Sequence, residues 1–223
     1  RWLAELQQTM FIEVNPRVQV EHTVSEAVTG VDIVQSQMLL ASGAKLRDIG
    51  LGAQSDVGLI AHAIQCRITT EDPANDFMPD TGTITTYRSA EGNGIRLDGV
   101  GFAGARISPH YDSMLVKITA SAKTFPQAVA KQLRALQEFR IRGVKTNIPY
   151  LQNVLSDPEF TSGPVTTAYI EDHPEMLEPA KGSSHGNRAT KLLRYLANLK
   201  VNGHPPELGA DIVTNPPSVI DPV

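Results

Sequence analysis

The amino-acid sequence predicts an α+β fold, and three features carry that expectation. Residues 13–21 alternate as a strand does, residues 57–120 hold a succession of short β patterns, and helical periodicity is confined to the flanks of that β-rich stretch. With 223 residues, 41% hydrophobic content and a formal net charge of −4, the chain can bury one ordinary core or two small ones. Nothing in this mild acidity points to nucleic acid. No signal-peptide pattern and no bilayer-length apolar run stands out, so no membrane association is expected. The single cysteine, Cys66, has no internal disulfide partner, which suits a reducing compartment.

The first element is Glu13-Val-Asn-Pro-Arg-Val-Gln-Val-Glu21. In an extended chain Glu13, Asn15, Arg17, Gln19 and Glu21 share one face, leaving Ile12, Val14, Val18 and Val20 to face a core. Two carboxylates, two amides and a guanidinium on one face suit a reaction site better than a solvated edge. A carboxylate and an amide oxygen two residues apart match a hard cation such as Mg²⁺, commonly shared with phosphate. Arg17 offers a fork of donors for a small planar oxyanion, and Glu21 has the chemistry of a base.

Thr23-Val-Ser-Glu26 has capping-box spacing, so a helix is expected from Thr23 through Val24, Ala27, Val28, Val31, Val34 and Met38, stopping at Gly43. His22 lacks a second His or Cys at ligand spacing and reads as a hydrogen-bonded structural residue. Strands follow near residues 58–70, 82–87, 94–97 and 114–120, several of them antiparallel. Cys66 lies in one of these runs, where a buried thiol is the expected state. Gly99-Val-Gly-Phe-Ala-Gly104 spells a dinucleotide-binding pattern, but Pro109 follows where a helix should open, so the glycines read as turn residues. Pro109-His-Tyr-Asp-Ser-Met114 has no nucleophile-elbow context around Ser113.

Thr124-Phe-Pro-Gln127 is again spaced as a capping box, leading a helix with Phe125, Val129, Leu133, Leu136 and Phe139 on its core side. A shorter helix is expected from Ile148 to Leu155, stopped by Asp157-Pro158. Residues 174–187 are rich in Pro, Glu, Gly and Ser. A basic amphipathic helix is then expected over Arg188–Lys200, followed by a Pro-rich structureless tail with the composition of a linker.

The run Phe-Ile-Glu-Val-Asn-Pro-Arg-Val-Gln-Val-Glu-His, residues 11–22, resembles the ATP-grasp signature of the biotin carboxylase component of biotin-dependent carboxylases. The resemblance continues through Thr23-Val-Ser-Glu-Ala-Val-Thr-Gly30, Gln65-Cys-Arg-Ile-Thr-Thr-Glu-Asp-Pro73, Pro109–Met114 and Gly143-Val-Lys-Thr-Asn147, in family order, over roughly residues 10–173. It implies the C-terminal part of an ATP-grasp domain over residues 1–56 and a biotin carboxylase C-terminal domain, an antiparallel sheet with helices, over 57–173. The start of an allosteric or linker region would occupy 174–223. The tail resembles the point where pyruvate carboxylases leave their biotin carboxylase domain, and basic residues matching Arg142 and Arg188 contribute there to an acetyl-CoA activator site.

By the same resemblance, ATP, Mg²⁺ (or Mn²⁺) and biotin are the implied cofactors, with Glu13 and Asn15 as metal ligands. Arg17 is the implied catalytic arginine. Arg17, Gln19, the backbone of Val20, and Glu21 would hold bicarbonate, Glu21 acting as base for attack on the γ-phosphate. The carboxyphosphate formed would break down to CO₂ and phosphate. Arg67 would stabilise the enolate-like oxygen of biotin once its N1 has lost a proton. Asp112 is expected to brace the neighbouring architecture.

The implied partners are a biotin carrier domain, a carboxyltransferase domain and further copies in a homo-oligomer. A cytoplasmic location is expected, or the mitochondrial matrix in a eukaryote. Residues 1–9 do not resemble the family's preceding strand, and the Gly-rich flap and the Met-Lys-Met biotin attachment segment are missing from the sequence. The chain therefore reads as a fragment that, alone, should not turn over. The other readings are a non-catalytic assembly module or remnant pairing with intact carboxylase, the biotin carboxylase of an acyl-CoA carboxylase, and a different ATP-grasp ligase, which the Val-Gln-Val-Glu-His and Gln-Cys-Arg-Ile segments disfavour.

Overall fold

The computed structural model describes residues 2–3, 8–162, 165–177 and 188–202, and the chain divides into two units, Arg1–Ala180 and Lys181–Val223. In the first unit β1 (Trp2–Leu3) pairs antiparallel with β2 (Gln8–Thr9). Residues 10–21 then run without regular structure into α1 (His22–Thr29) and α2 (Ile33–Ala41).

The alternation of residues 13–21 predicts a strand, and the structure corrects this. Pro16 has no N–H to offer a ladder, and the backbone turns there, Arg17 N donating to Asn15 O at 2.7 Å. No described strand pairs with this segment. Its expected core face is largely open instead: Ile12 is 66% and Val14 70% exposed.

The single helix expected after Glu21 is also two helices. Gly30, at φ +74°, closes α1 in the left-handed region that only glycine enters freely. Asp32 then caps α2, its carboxylate accepting from Gln35 N at 2.7 Å. The expected Thr23 cap is not made, because Glu21 occupies the N-cap position. Thr23 is fully buried and bonds Thr119 Oγ1 and Gln65 Nε2, each at 2.6 Å. Buried tertiary partners have taken both side chains that the capping box would use, since Glu26 accepts from Ile33 N and Arg96.

The centre of the unit is a three-stranded antiparallel sheet formed by β3 (His62–Thr69), β8 (Ile95–Gly99) and β10 (Met114–Ala122), with β10 in the middle. Short ribbons surround it: β4 (Glu71–Asp72) with β5 (Met78–Pro79), β6 (Gly82–Thr83) with β9 (Arg106–Ile107), and β7 (Thr86–Arg88) with β11 (Arg140–Arg142). Residue Gly104 sits in a turn leading to β9, so no helix follows the three glycines.

The sheet has two unlike faces because side chains alternate along each strand. Cys66 and Ile68 from β3, Ile95 and Leu97 from β8, and Val116 and Ile118 from β10 form the apolar face. It is covered by α3 (Phe125–Glu138), which buries Ala128, Val129, Gln132, Ala135 and Leu136. Thr124 precedes α3 without a side-chain cap, Pro126 stiffening the first turn instead. The opposite face is polar and carries Gln65, Arg67, Lys117, Thr119, Arg96 and Asp98, with α1 against it.

The shorter helix α4 (Ile148–Ser156) follows as the spacing predicts and is succeeded by α5 (Pro158–Ser162), α6 (Tyr169–Asp172) and a 3₁₀ turn at Pro174–Leu177. In the second unit the described element is α7 (Arg188–Asn202), matching the helix expected there. The Pro-rich tail beyond it lies outside the described residues.

Candidate active site

At the polar face of the sheet Glu21, which sequence spacing singles out, meets Arg67, which the resemblance implies. Glu21 stands at the N-cap of α1, and Arg67 projects from β3, so α1 resting on the sheet brings together groups 46 positions apart. Arg67 Nη2 donates to Glu21 Oε2 at 2.9 Å, with about half of each side chain open to solvent. A carboxylate and a guanidinium so placed can trade their mutual contact for a ligand carrying an acidic proton and a developing oxyanion.

The turn leading into α1 is held from several sides. Val20 O accepts from Gln65 Nε2 at 3.0 Å and from Lys117 Nζ at 2.9 Å. Gln19 O is met by His22 Nδ1 at 2.6 Å, in keeping with a structural role for that histidine. Asn147 grips the edge of β3, its Nδ2 donating to Arg67 O at 2.9 Å and its Oδ1 accepting from Thr69 N at 3.0 Å. It sets the backbone from which Arg67 springs. Asp112 makes a local contact, its carboxylate accepting from Met114 N at 2.7 Å.

Glu13 and Asn15 stand together on the approach loop, Asn15 Nδ2 lying 3.2 Å from Glu13 Oε1. A half-turn of the amide directs Oδ1 the same way, so one carboxylate and one amide oxygen can face a hard cation. They fit as two of about six oxygen ligands, the rest falling to phosphate and water. Among the described residues no cluster of three His, Cys, Asp or Glu forms a fuller cation site.

Arg17 is exposed and donates to the neighbouring Val18 O at 3.3 Å, with no described hydrogen bond to Glu21 or Arg67. Arg142 is exposed at the end of β11, pairing in register with Thr86, while Arg188 opens α7 in the other unit. Cys66 is buried on the apolar face, and burial pushes its thiol up to about 12, against a lowering hydrogen bond from Gln132. It takes no part in this face.

Gln65, Lys117 and Asn147, which hold the backbone around Val20 and Arg67, are residues that spacing alone passes over. Gln65 sits two positions before Arg67 on the same strand face, a signal that could have marked it. Asn147 closes the Gly143–Asn147 run of the resemblance, whereas Lys117 carried no comparable local signal.

Comparison with known proteins gives matches over two stretches of the chain. The biotin carboxylase C-terminal domain matches residues 65–172, and the ATP binding domain of the carbamoyl-phosphate synthase L chain matches residues 2–49. Residues 2–9, set apart from the resemblance above, lie inside the second match. Pyruvate carboxylase of Staphylococcus aureus is 57% identical over 87% of this chain and 17% of that protein. Pyruvate carboxylase 1 of Caenorhabditis elegans is 54% identical over 95% and 18%.

Among solved structures, the complete multifunctional pyruvate carboxylase of Rhizobium etli aligns at a TM-score of 0.78 and 50% identity, over 91% of this chain and 19% of that one. The biotin carboxylase domain dimer of the Hydrogenobacter thermophilus 2-oxoglutarate carboxylase, a complex with MgADP, ADP and bicarbonate, aligns at 0.75 and 41%, over 79% and 38%. The chain thus spans less than a fifth of the curated relatives named here. Its sequence and fold match the biotin carboxylase region of the pyruvate carboxylase family, an ATP-grasp ATP-binding domain being followed by the biotin carboxylase C-terminal domain.

Proposed function

We propose that this chain supplies the bicarbonate- and biotin-facing side of an ATP-dependent biotin carboxylase, a ligase acting within a pyruvate carboxylase that converts pyruvate to oxaloacetate. The observation that carries this reading is the Glu21–Arg67 pair at 2.9 Å, a base and an oxyanion donor meeting beside the doubly held Val20 turn. Support for the ligands comes from the 2-oxoglutarate carboxylase domain, whose structure holds MgADP and bicarbonate.

In this reading Arg17, Gln19, the backbone of Val20, and Glu21 hold bicarbonate, and Glu21 removes its proton. The bicarbonate oxygen attacks the γ-phosphorus of ATP, ADP leaves, and carboxyphosphate is the product. It separates into CO₂ and phosphate; biotin, when bound, would supply N1 as the acceptor of CO₂, its proton passing to that phosphate. Arg67 steadies the negative charge that grows on the ureido oxygen of biotin. A bound Mg²⁺ or Mn²⁺, with Glu13 and Asn15 among its ligands, would neutralise phosphate charge.

A carrier domain bearing biotin, a carboxyltransferase domain and further copies of the enzyme are the proposed partners, in line with the multifunctional and dimeric relatives. Arg142 and Arg188 are proposed to serve an acetyl-CoA activator. The mitochondrial pyruvate carboxylase of Mus musculus, 52% identical over 215 residues, supports a matrix location for a eukaryotic source, with the cytoplasm for a bacterial one.

The test is ADP release dependent on bicarbonate and free biotin. The complete carboxylase containing this segment is expected to show it, Arg17→Ala to lose at least about 10²-fold, and the isolated chain to give background only. Arg17→Ala activity within about threefold of the parent would overturn the proposal.

A further inference from the structure

One cation on the polar face has no role in the chemistry above. Lys117, midway along β10, is only 8% exposed, and an ammonium group taken out of water needs a counter-charge or good hydrogen bonds. Its neighbours in register are Arg67 on β3 and Asp98 on β8, so the three project from one face. Asp98 is committed elsewhere: its two oxygens accept from Arg96, at 2.9 Å from Nε and 3.0 Å from Nη2. Glu21 pairs with Arg67, and Glu26 with Arg96. Among the described residues no carboxylate reaches Lys117 within ion-pair distance.

Lys117 Nζ donates instead to Val20 O at 2.9 Å, an oxygen that Gln65 Nε2 also meets at 3.0 Å. Two donors on one carbonyl fix the plane of the Val20–Glu21 peptide. Because that amide is planar and trans, the N–H of Glu21 is held pointing the opposite way. The same pair of contacts therefore sets the start of α1 and the direction in which Glu21 leaves the backbone. A positive charge buried directly behind this turn also favours any anion bound in front of it, since the medium between them screens little.

We infer that Lys117, assisted by Gln65, is a positioning residue for the anion site: it holds the turn that presents Gln19, Val20 and Glu21, and its charge is answered by the oxyanion bound there. This rests on the bicarbonate reading of that turn. Lys117 acts through Val20 and touches no reacting atom. The expected consequence is selective: losing Lys117 weakens the hold on bicarbonate and leaves the nucleotide's hold alone.

The experiment compares Lys117→Met and Lys117→Gln in the complete carboxylase, measuring KM for bicarbonate, KM for ATP, kcat and the thermal midpoint. Met removes both donor and charge, whereas Gln keeps an N–H donor and removes only the charge. Both are expected to raise KM for bicarbonate about tenfold or more, with KM for ATP within about twofold. An unchanged KM for bicarbonate in either folded variant, or equal rises in both KM values, overturns the inference. Failure of both variants to fold also overturns it, because the charge would then belong to the fold. Arg17→Ala in the same background separates the two levels: if it keeps bicarbonate-dependent turnover, the bicarbonate reading itself falls. If it loses turnover while Lys117→Met binds bicarbonate normally, only the role of Lys117 falls.

Discussion

Replacing Arg67 by Met separates the chemistry of the Glu21–Arg67 pair from its contribution to stability. At 2.9 Å the two charges attract by about 1.4 kcal/mol in a water-like dielectric. Both side chains are about half open, 52% and 53% exposed, so salt screens the pair and ordering two long side chains opposes it. The net contribution should be about 0–1 kcal/mol, a shift of at most about 4 °C in the thermal midpoint of the complete carboxylase. Loss of an oxyanion donor, by contrast, costs about 10²–10³ in turnover. The assay pairs biotin-dependent ADP release with thermal unfolding on the same preparation. A midpoint loss far above 4 °C would make the pair structural, and turnover within about threefold of the parent would remove Arg67 from the chemistry; either result refutes the reasoning.

Two further outcomes test the fold beneath the site. Gly143 has φ +99°, and a Cβ there would collide with Thr83 O and come within 3.0 Å of Thr85 N. Gly143→Ala should therefore destabilise by about 2–4 kcal/mol, read as a lower urea midpoint. Burial raises the Cys66 thiol from its ordinary 9.0 to about 12. A thiol that ionises more easily unfolded than folded contributes stability that is complete below pH 9 and is lost as pH rises from there toward 12. Stability should thus decline above pH 9, and Cys66→Ala should flatten that decline; an identical alkaline slope in the variant would count against the buried thiol.

Much of the fold was legible because its signals are local. The β-rich stretch, the core stripe of α3 and the bounds of α4 follow from side-chain period and from Gly and Pro placement. The rejected dinucleotide pattern at Gly99–Gly104 follows from the same logic, since Arg106–Ile107 continues as strand. The failures share a cause. The alternation at residues 13–21 describes side-chain chemistry well, but an extended segment becomes a strand only beside a partner, and Pro16 turns this one. Thr23 and Glu26 look like a local cap, yet Thr119, Gln65 and Arg96 offer them buried partners that a local window does not contain.

The sequence by itself carried the family resemblance, the class of fold and the identity of the chemical groups, because motif chemistry and hydrophobic period are properties of near neighbours along the chain. Only the tertiary structure decided which groups meet. Glu21 reaches Arg67 across 46 positions and Val20 reaches Lys117 across 97. The reason is physical: a buried hydrogen bond or ion contact depends on the desolvated space between elements, and that space exists only once α1 has settled on the polar face of the sheet.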